Sequence, residues 1–182
     1  LSGHKNSIND LEFNPRGDLF VSGSEDGKVI IWDWKVKKQR SKINFEDAVS
    51  TISIHPKLAE IVVGTAGGRL ETWSLAKGTL LHQITESGPL ISSTGYDRNG
   101  SRIISALEDG TVEIWENGVS LHLKTFSGHE RIVESLDFSS NKIMFVFLLI
   151  FRTTLFFENI FLICIDFPNK IIFKKSIFFL EI

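Results

Sequence analysis

At 182 residues and a formal net charge of −2, the chain can bury one real core, and its charge favours neither nucleic acid nor a membrane surface. Its single cysteine, Cys164, excludes an internal disulfide, so nothing points to an oxidising compartment, and a cytoplasmic or nuclear location is expected. The opening "LSGHKNSIND" lacks the basic-then-apolar pattern of a signal peptide, and Met144 is the only methionine, which predicts a fragment of a longer protein.

In chain order, "INDLEF" alternates polar and apolar residues and stops at the turn cluster "NPRG". "LFVSGS" reads as a second strand. "EDG" reads as a tight hairpin turn, in which Gly27 can take a positive φ without a Cβ clash. "KVIIWDW" is a third strand and "QRSKINF" a fourth. The pattern then returns. Trp32, Trp73 and Trp115 stand 41 and 42 residues apart, and Gly27, Gly68 and Gly110 keep that spacing. So do Phe13, Ile54, Tyr96 and Phe138, and the pairs Ile8/Leu11, Val49/Ile52, Ile91/Thr94 and Val133/Leu136. Each unit reads as four short strands. One such sheet cannot bury both of its faces, but stacked copies can.

The stretch "SGHKNSINDLEFNPRGDLFVSGSEDGKVIIWDW" closely resembles a WD40 repeat, opened by Gly3-His4 and closed by Trp32-Asp33. "VSTISIHP…VVGTAGGRLETWS" and "RIISALEDGTVEIWE" resemble weaker copies, and "SGHERIVESLDFSSN" resembles the opening of a fourth. The resemblance implies an all-β fold: an incomplete WD40 β-propeller of four-stranded antiparallel blades, with an atypical hydrophobic C-terminal tail. It covers residues 1–143, with blades at about 1–44, 45–86 and 87–126 and the start of a fourth at 127–143. Only the first repeat keeps the whole signature. Phe45, Ser87 and His129 stand in register with His4, Gly67 and Asp109 with Asp26, and Ser74 and Glu116 with Asp33. Closed propellers use roughly four to eight blades, so open blade faces are expected to drive self-association.

His4, Ser24 and Asp26 are the residue types of a hydrolase triad. The resemblance implies a structural network instead, in which a His, a strand Ser or Thr, the turn Asp and the Trp hydrogen-bond within a blade. It would comprise His4, Ser24, Asp26 and Trp32, then Thr65 and Trp73, then Ser105, Asp109 and Trp115, and His129 in the fourth unit. The columns partly recur by repeat, whereas a catalytic triad occurs once. "GSEDGK" is one residue short of a phosphate loop and lacks Ser or Thr after Lys28; a hairpin turn explains it. "GTAGGR" is the same turn in the second repeat. His4, His55, His82, His122 and His129 are not paired at zinc spacing. No catalytic residue, cofactor or metal is expected.

The resemblance further implies a non-catalytic, protein-binding scaffold within a multiprotein complex. The loops between blades, and those between second and third strands, would form one face offering Lys5, Asn6, Glu25, Glu108, Glu130 and Arg131 to a partner. "IIWDWK" places Lys35 near the end of a WD-x-Arg motif by which some propellers dock onto cullin–RING ubiquitin ligases, but a point charge does not reproduce a bidentate fork. Splicing-complex propellers also carry WDW followed by Lys or Arg, so a ligase substrate receptor and a splicing scaffold both stay open. "KVKKQRSK", Lys35 to Lys42, reads as a charged edge strand rather than a direct nucleic-acid contact, because no aromatic residues interleave.

Residues 144–182 change character, with ten of the fifteen Phe and no Gly, Ala, His, Trp or Tyr. Carrying the repeat forward places Phe151 at the turn Asp, Arg152 at the turn Gly and Phe157 at the Trp. The favoured reading is translated intron or other noncoding sequence, from the AT-rich codons of this composition. A membrane tether is the alternative to a purely scaffolding protein: Ile143 to Ile165 has the length of a spanning helix but holds Arg152, Glu158 and Asn159 near its centre. A fourth blade improvised from the β-prone "KIMFVFLLIF" and "NIFLICIDF" is the third reading, with no tight-turn residues to join them.

Overall fold

The computed structural model describes residues 2–129, 132–138, 144–152, 158–166 and 170–176. Among the described residues every regular element is a β-strand. The first sheet comprises β1 (Ile8–Phe13), β2 (Leu19–Ser24), β3 (Lys28–Asp33) and β4 (Lys38–Asn44). The second comprises β5 (Val49–Ile54), β6 (Glu60–Thr65), β7 (Leu70–Ser74) and β8 (Leu80–Thr85), and the third β9 (Ile91–Tyr96), β10 (Arg102–Leu107), β11 (Val112–Glu116) and β12 (Leu121–Phe126). A fourth sheet joins β13 (Ser135–Phe138) to β14 (Met144–Arg152), β15 (Glu158–Asp166) and β16 (Lys170–Ser176). All four are antiparallel meanders with strands in chain order. Each of the three repeats is therefore one four-stranded blade.

The turns follow from the repeated glycines. Gly27, Gly68 and Gly110 adopt φ of 71°, 78° and 84° between the second and third strands of their blades. At Gly27 the requirement is doubled, because a Cβ would also stand 2.8 Å from the Phe45 carbonyl oxygen.

The middle strands carry the core. β2, β3, β6, β7, β10 and β11 are almost wholly buried because each sheet is covered by its neighbours. Val21, Val29 and Ile31 of the first blade pack with Val49, Ile52, Ile61 and Val63 of the second. Val62 and Leu70 of the second pack with Ile91, Ile103 and Trp115 of the third. The outermost β4 is exposed over most of its length and contains Lys38, Arg40 and Lys42 of the basic cluster, so those charges lie on a sheet edge, where they discourage pairing with another strand.

The first strands of successive blades are neighbours, and two polar columns stitch them together. Asn9 Nδ2 donates to the Val49 carbonyl at 2.9 Å, and the Ser50 and Ser92 hydroxyls donate to the Ile91 and Val133 carbonyls. One residue on, Asp10 Oδ2 accepts from the Ile52 N–H (2.8 Å), Thr51 Oγ1 from Thr94 N–H (3.2 Å) and Ser93 Oγ from Leu136 N–H (3.2 Å). A first strand cannot satisfy these backbone groups within its own sheet, so the adjacent blade does so.

The strands of the tail bear on two of its three readings, the improvised blade and the spanning helix. Its described residues continue the fourth sheet, as the improvised-blade reading has it, with β14 pairing β13 and β15. Among the described residues no helix is long and apolar enough to cross a membrane, and the stretch considered for one, Ile143 to Ile165, is β-strand where it is described. The reason is composition: Phe, Ile and Val favour extended chain. With no glycine to punctuate them, β14 and β15 run to nine residues each, longer than any strand of the first three blades.

Candidate functional site

The first blade builds a closed polar chain from its entry segment, its second and third strands and the turn between them. Trp32 on β3 donates its indole N–H to Ser22 Oγ on β2 at 2.8 Å. Ser22 Oγ stands 2.7 Å from His4 Nε2, and His4 Nδ1 stands 3.1 Å from Asp26 Oδ1 in the turn. The directions interlock: Ser22 accepts from Trp32 and donates to His4, which leaves Nδ1–H to donate to Asp26. Asp26 also accepts the Lys5 backbone N–H at 2.8 Å, which fixes the strand entry to the turn. Gly3 passes over the Trp32 ring so closely that a Cβ would lie 2.8 Å from it, the physical reason for glycine before the histidine.

Electrostatics agree with this geometry. Burial alone would raise the Asp26 carboxyl, but hydrogen bonds from Lys5 N–H, His4 and Ser24 outweigh it and hold the pKa at about 2. Lys28 Nζ adds a cation 3.7 Å from Asp26 Oδ2.

Asp26, His4 and Ser22 thus have the connectivity of a nucleophilic triad, but the arrangement is unsuited to catalysis. Ser22 is 1% exposed, and its oxygen already accepts the Trp32 N–H. A carbonyl carbon has no approach to it, and the geometry needs room for a reacting atom about 3 Å from the nucleophile.

The hydroxyl in this chain is Ser22, not Ser24. Ser24 and Thr65, expected from the sequence, share one register, whereas Ser105 belongs to another. Ser24 Oγ instead accepts the Asp26 N–H at 3.1 Å, and Thr65 Oγ1 accepts the Arg69 N–H at 3.1 Å, so both cap the turn between second and third strands. Ser105 does stand where Ser22 does, ten residues before its tryptophan, and accepts Trp115 Nε1–H at 3.1 Å.

The other blades solve the same problem differently. In the second, Phe45 takes the place of His4 and meets Trp73 edge-on at 5.6 Å, while the Trp73 N–H turns to Glu71 Oε2 at 2.9 Å. Asp47 fills the space where a side chain at Gly67 would project. In the third, Ser87 stands in register with His4, and Asp109, without that ring, turns to the Thr111 N–H (2.9 Å) and hydroxyl (2.6 Å). His129 of the fourth unit is half-buried, and burial pushes its pKa down.

Lys5, Asn6, Glu25 and Glu108 are exposed at one end of the blades. Backbone bonds tie the loops there together: Glu25 N–H to Ser7 O (3.0 Å), Ala66 N–H to Ala48 O (2.9 Å) and Glu108 N–H to Leu90 O (2.9 Å). Lys35 is not among them; it is exposed in the turn between β3 and β4, next to Trp34, whose N–H bonds Asp18 O in the β1–β2 turn at the opposite end. Glu130 and Arg131 lie outside the described residues.

The residues that sequence reasoning missed are the stitches. Their signal is present as the dipeptides Asn9-Asp10, Ser50-Thr51 and Ser92-Ser93, which recur with the period of the tryptophans. Serine recurs only at Ser50 and Ser92; what all three dipeptides share is the capacity to donate and then accept.

Four-stranded antiparallel blades, joined through their first strands and braced by a tryptophan column, define a protein of the β-propeller class. The sequence model described as "WD domain, G-beta repeat" matches residues 1–33 and 78–116, so the chain carries WD40 repeats over those stretches. The gap covers most of the second blade, where Phe45, Gly67 and Ser74 replace the signature residues. The chain is similar to the target of rapamycin complex subunit wat1 of Schizosaccharomyces pombe, at 27% identity over 73% of this chain and 45% of that protein. It is also similar to pre-mRNA-processing factor 19 of Oryza sativa subsp. japonica (26% identity, 78% of this chain, 28% of that protein). Pre-mRNA-processing factor 17 of Saccharomyces cerevisiae is 28% identical over 70% of this chain and 29% of its own length. The chain spans less than half the length of each of these relatives.

Proposed function

We propose that the chain is a non-catalytic protein-binding scaffold that acts inside the cell as part of a multiprotein complex. The observation that carries this reading is the end of the blades where Lys5, Asn6 and Glu25 stand exposed on loops pinned by the His4–Asp26 contact and the Lys5 N–H bond, and Glu108 on a loop tied by its N–H to the Leu90 carbonyl. Exposed side chains on loops held by a rigid scaffold are the usual equipment of a recognition surface. The names of the relatives, a target of rapamycin complex subunit and pre-mRNA-processing factors, support membership of an assembly, and they favour a splicing scaffold over a ligase receptor. Lys35 is kept as a separate contact for a ligase adaptor at the opposite end. The open face of the first sheet gives a route to self-association: Ile8 is 54% and Phe13 48% exposed, whereas Val49 and Ile54 in register on β5 are 0% and 5%.

Crosslinking of the affinity-captured full chain, read by mass spectrometry, tests the docking end. Crosslinks from partners should concentrate at Lys5 and Lys28, and charge reversal at Glu25 and Glu108 should reduce capture. Crosslinks concentrated on Lys35 to Lys42 instead, unaffected by those changes, would overturn it. Loss of a ligase adaptor on Lys35→Ala, with other partners retained, would move the choice back to the receptor.

A further inference from the structure

The position before each blade's first strand places a ring against the tryptophan in two blades; in the third, among the described residues, the ring edge-on to Trp115 is His122 of the paired strand β12, at 4.8 Å and 71°, and it does not line the slot. His4 lies edge-on to Trp32 at 6.5 Å and 64°, and Phe45 lies edge-on to Trp73 at 5.6 Å and 67°. In the third blade the residue in register is Ser87, and a cavity of about 140 Å³ opens there, lined by Ser87, Pro89, Ser105, Glu113 and Trp115 among others. A cavity of about 150 Å³ is enough to take up a benzene-sized ring. Its mouth is the exposed Ser87–Pro89 loop, at the same end of the blades as Glu108.

The lining is specific about which ring would fit. Ser105 is 1% exposed and its oxygen accepts the Trp115 N–H, which leaves its O–H to donate. The same hydroxyl in the first blade lies 2.7 Å from a ring nitrogen, His4 Nε2. Glu113, in register with the fully buried Ile30 of the first blade, lines the cavity, and burial pushes its carboxyl up, offset by His122 and reinforced by Asp109. An imidazole carries the complement of both groups, an acceptor nitrogen for the Ser105 O–H and an N–H for the Glu113 carboxyl. A phenyl ring satisfies neither, and burying both groups against it carries a desolvation cost.

We propose that the cavity over Trp115, between the second and third blades, is a socket for an imidazole, supplied as the histidine side chain of a protein partner. The protein part of this assignment rests on the scaffold reading above; the imidazole part does not. The partner's ring would complete in the third blade what His4 completes in the first.

The test titrates 4-methylimidazole, the histidine side chain itself, into the full chain and follows the indole N–H signals of the tryptophans by NMR. The Trp115 signal should shift and saturate while those of Trp32 and Trp73 stay in place. Glu113→Gln should weaken binding by about tenfold, the worth of one good hydrogen bond. Ser87→His should abolish the shift by filling the slot from within, and toluene should bind at least tenfold more weakly than 4-methylimidazole. A shift that does not saturate, or toluene binding equally well, overturns the imidazole socket whatever the crosslinks show. Saturable binding together with partner crosslinks that avoid this end of the blades overturns the assignment to a protein partner and leaves a small-molecule site.

Discussion

The first and third blades place the same tryptophan on the same strand and differ in what surrounds it. Trp32 heads a chain that runs through Ser22 and His4 to the turn carboxylate of Asp26. Trp115 reaches Ser105 and stops, and Asp109, in register with Asp26, is exposed and bonded only within its own turn. Yet both blades keep four strands, the same pairing order and a buried middle. The difference separates two jobs. Apolar packing of the middle strands makes a blade, and the polar chain fixes the segment that enters it.

The strongest way to break the comparison is to remove the tryptophans. Trp32→Ala and Trp115→Ala should each cost about 3–5 kcal/mol, the usual range for emptying an aromatic core site. Trp32→Ala should lie at the upper end, because it also strands the Ser22 and His4 groups. Urea midpoints of the two variants against the parent chain measure the gap, and equal losses would mean that the polar chain contributes nothing to the blade.

Hydroxyls give the next largest difference. Ser22→Ala removes the acceptor of the Trp32 N–H and the partner of His4, leaving buried groups unpaired, and should cost roughly 1–3 kcal/mol. Ser24→Ala loses a turn cap, a long bond to the Asn6 carbonyl and a hydrogen bond to the Asp26 carboxyl, but leaves the Trp32 N–H and His4 paired, and should cost about 1 kcal/mol. The reverse order would restore the assignment made from sequence. Ser22 should also stay unlabelled by serine-directed electrophiles under conditions that keep the chain folded, since its oxygen is covered; stoichiometric labelling at Ser22 would reopen the hydrolase reading.

Ser22 and Ser24 lie two residues apart on β2, and the difference between them marks where the sequence is legible and where it is not. The repeat, the four strands per unit and the turns at Gly27, Gly68 and Gly110 follow from alternation and spacing, which are properties of the chain itself. Which hydroxyl faces the tryptophan depends on strand pairing: Phe20 sits opposite Trp32, and Ser22 comes round to the same face two residues later. The stitches between blades were missed for a related reason. Asn9, Ser50 and Ser92 share a function, but Asn breaks the identity in the first unit and Asp10, Thr51 and Ser93 beside them are three different types, so a search for repeated residue types passes over them. The tail reads as a break because its turn residues are absent, and yet its β-propensity suffices to extend the fourth sheet.

The smallest effect at neutral pH is the most informative about the polar chain. Asp26→Asn keeps the shape of the side chain and loses its charge, which should cost roughly 1 kcal/mol, the worth of an ordinary hydrogen bond. Asp109→Asn should stay within about 0.5 kcal/mol, as expected for an exposed position away from any buried network. The pH profile then isolates Asp26. Its folded pKa of about 2 lies below the ordinary carboxylate value of 3.8. A depressed carboxyl contributes stability that is fully present above its unfolded pKa and is lost as pH falls through the folded one. The advantage of the parent chain over Asp26→Asn should therefore be constant from neutral pH down to about 4 and then shrink between about 4 and 2. Urea midpoints of both chains across that range measure it. A difference that stays flat to pH 2 would show that the ionised carboxylate does not stabilise this network, and that His4 and the Lys5 N–H hold a neutral oxygen equally well.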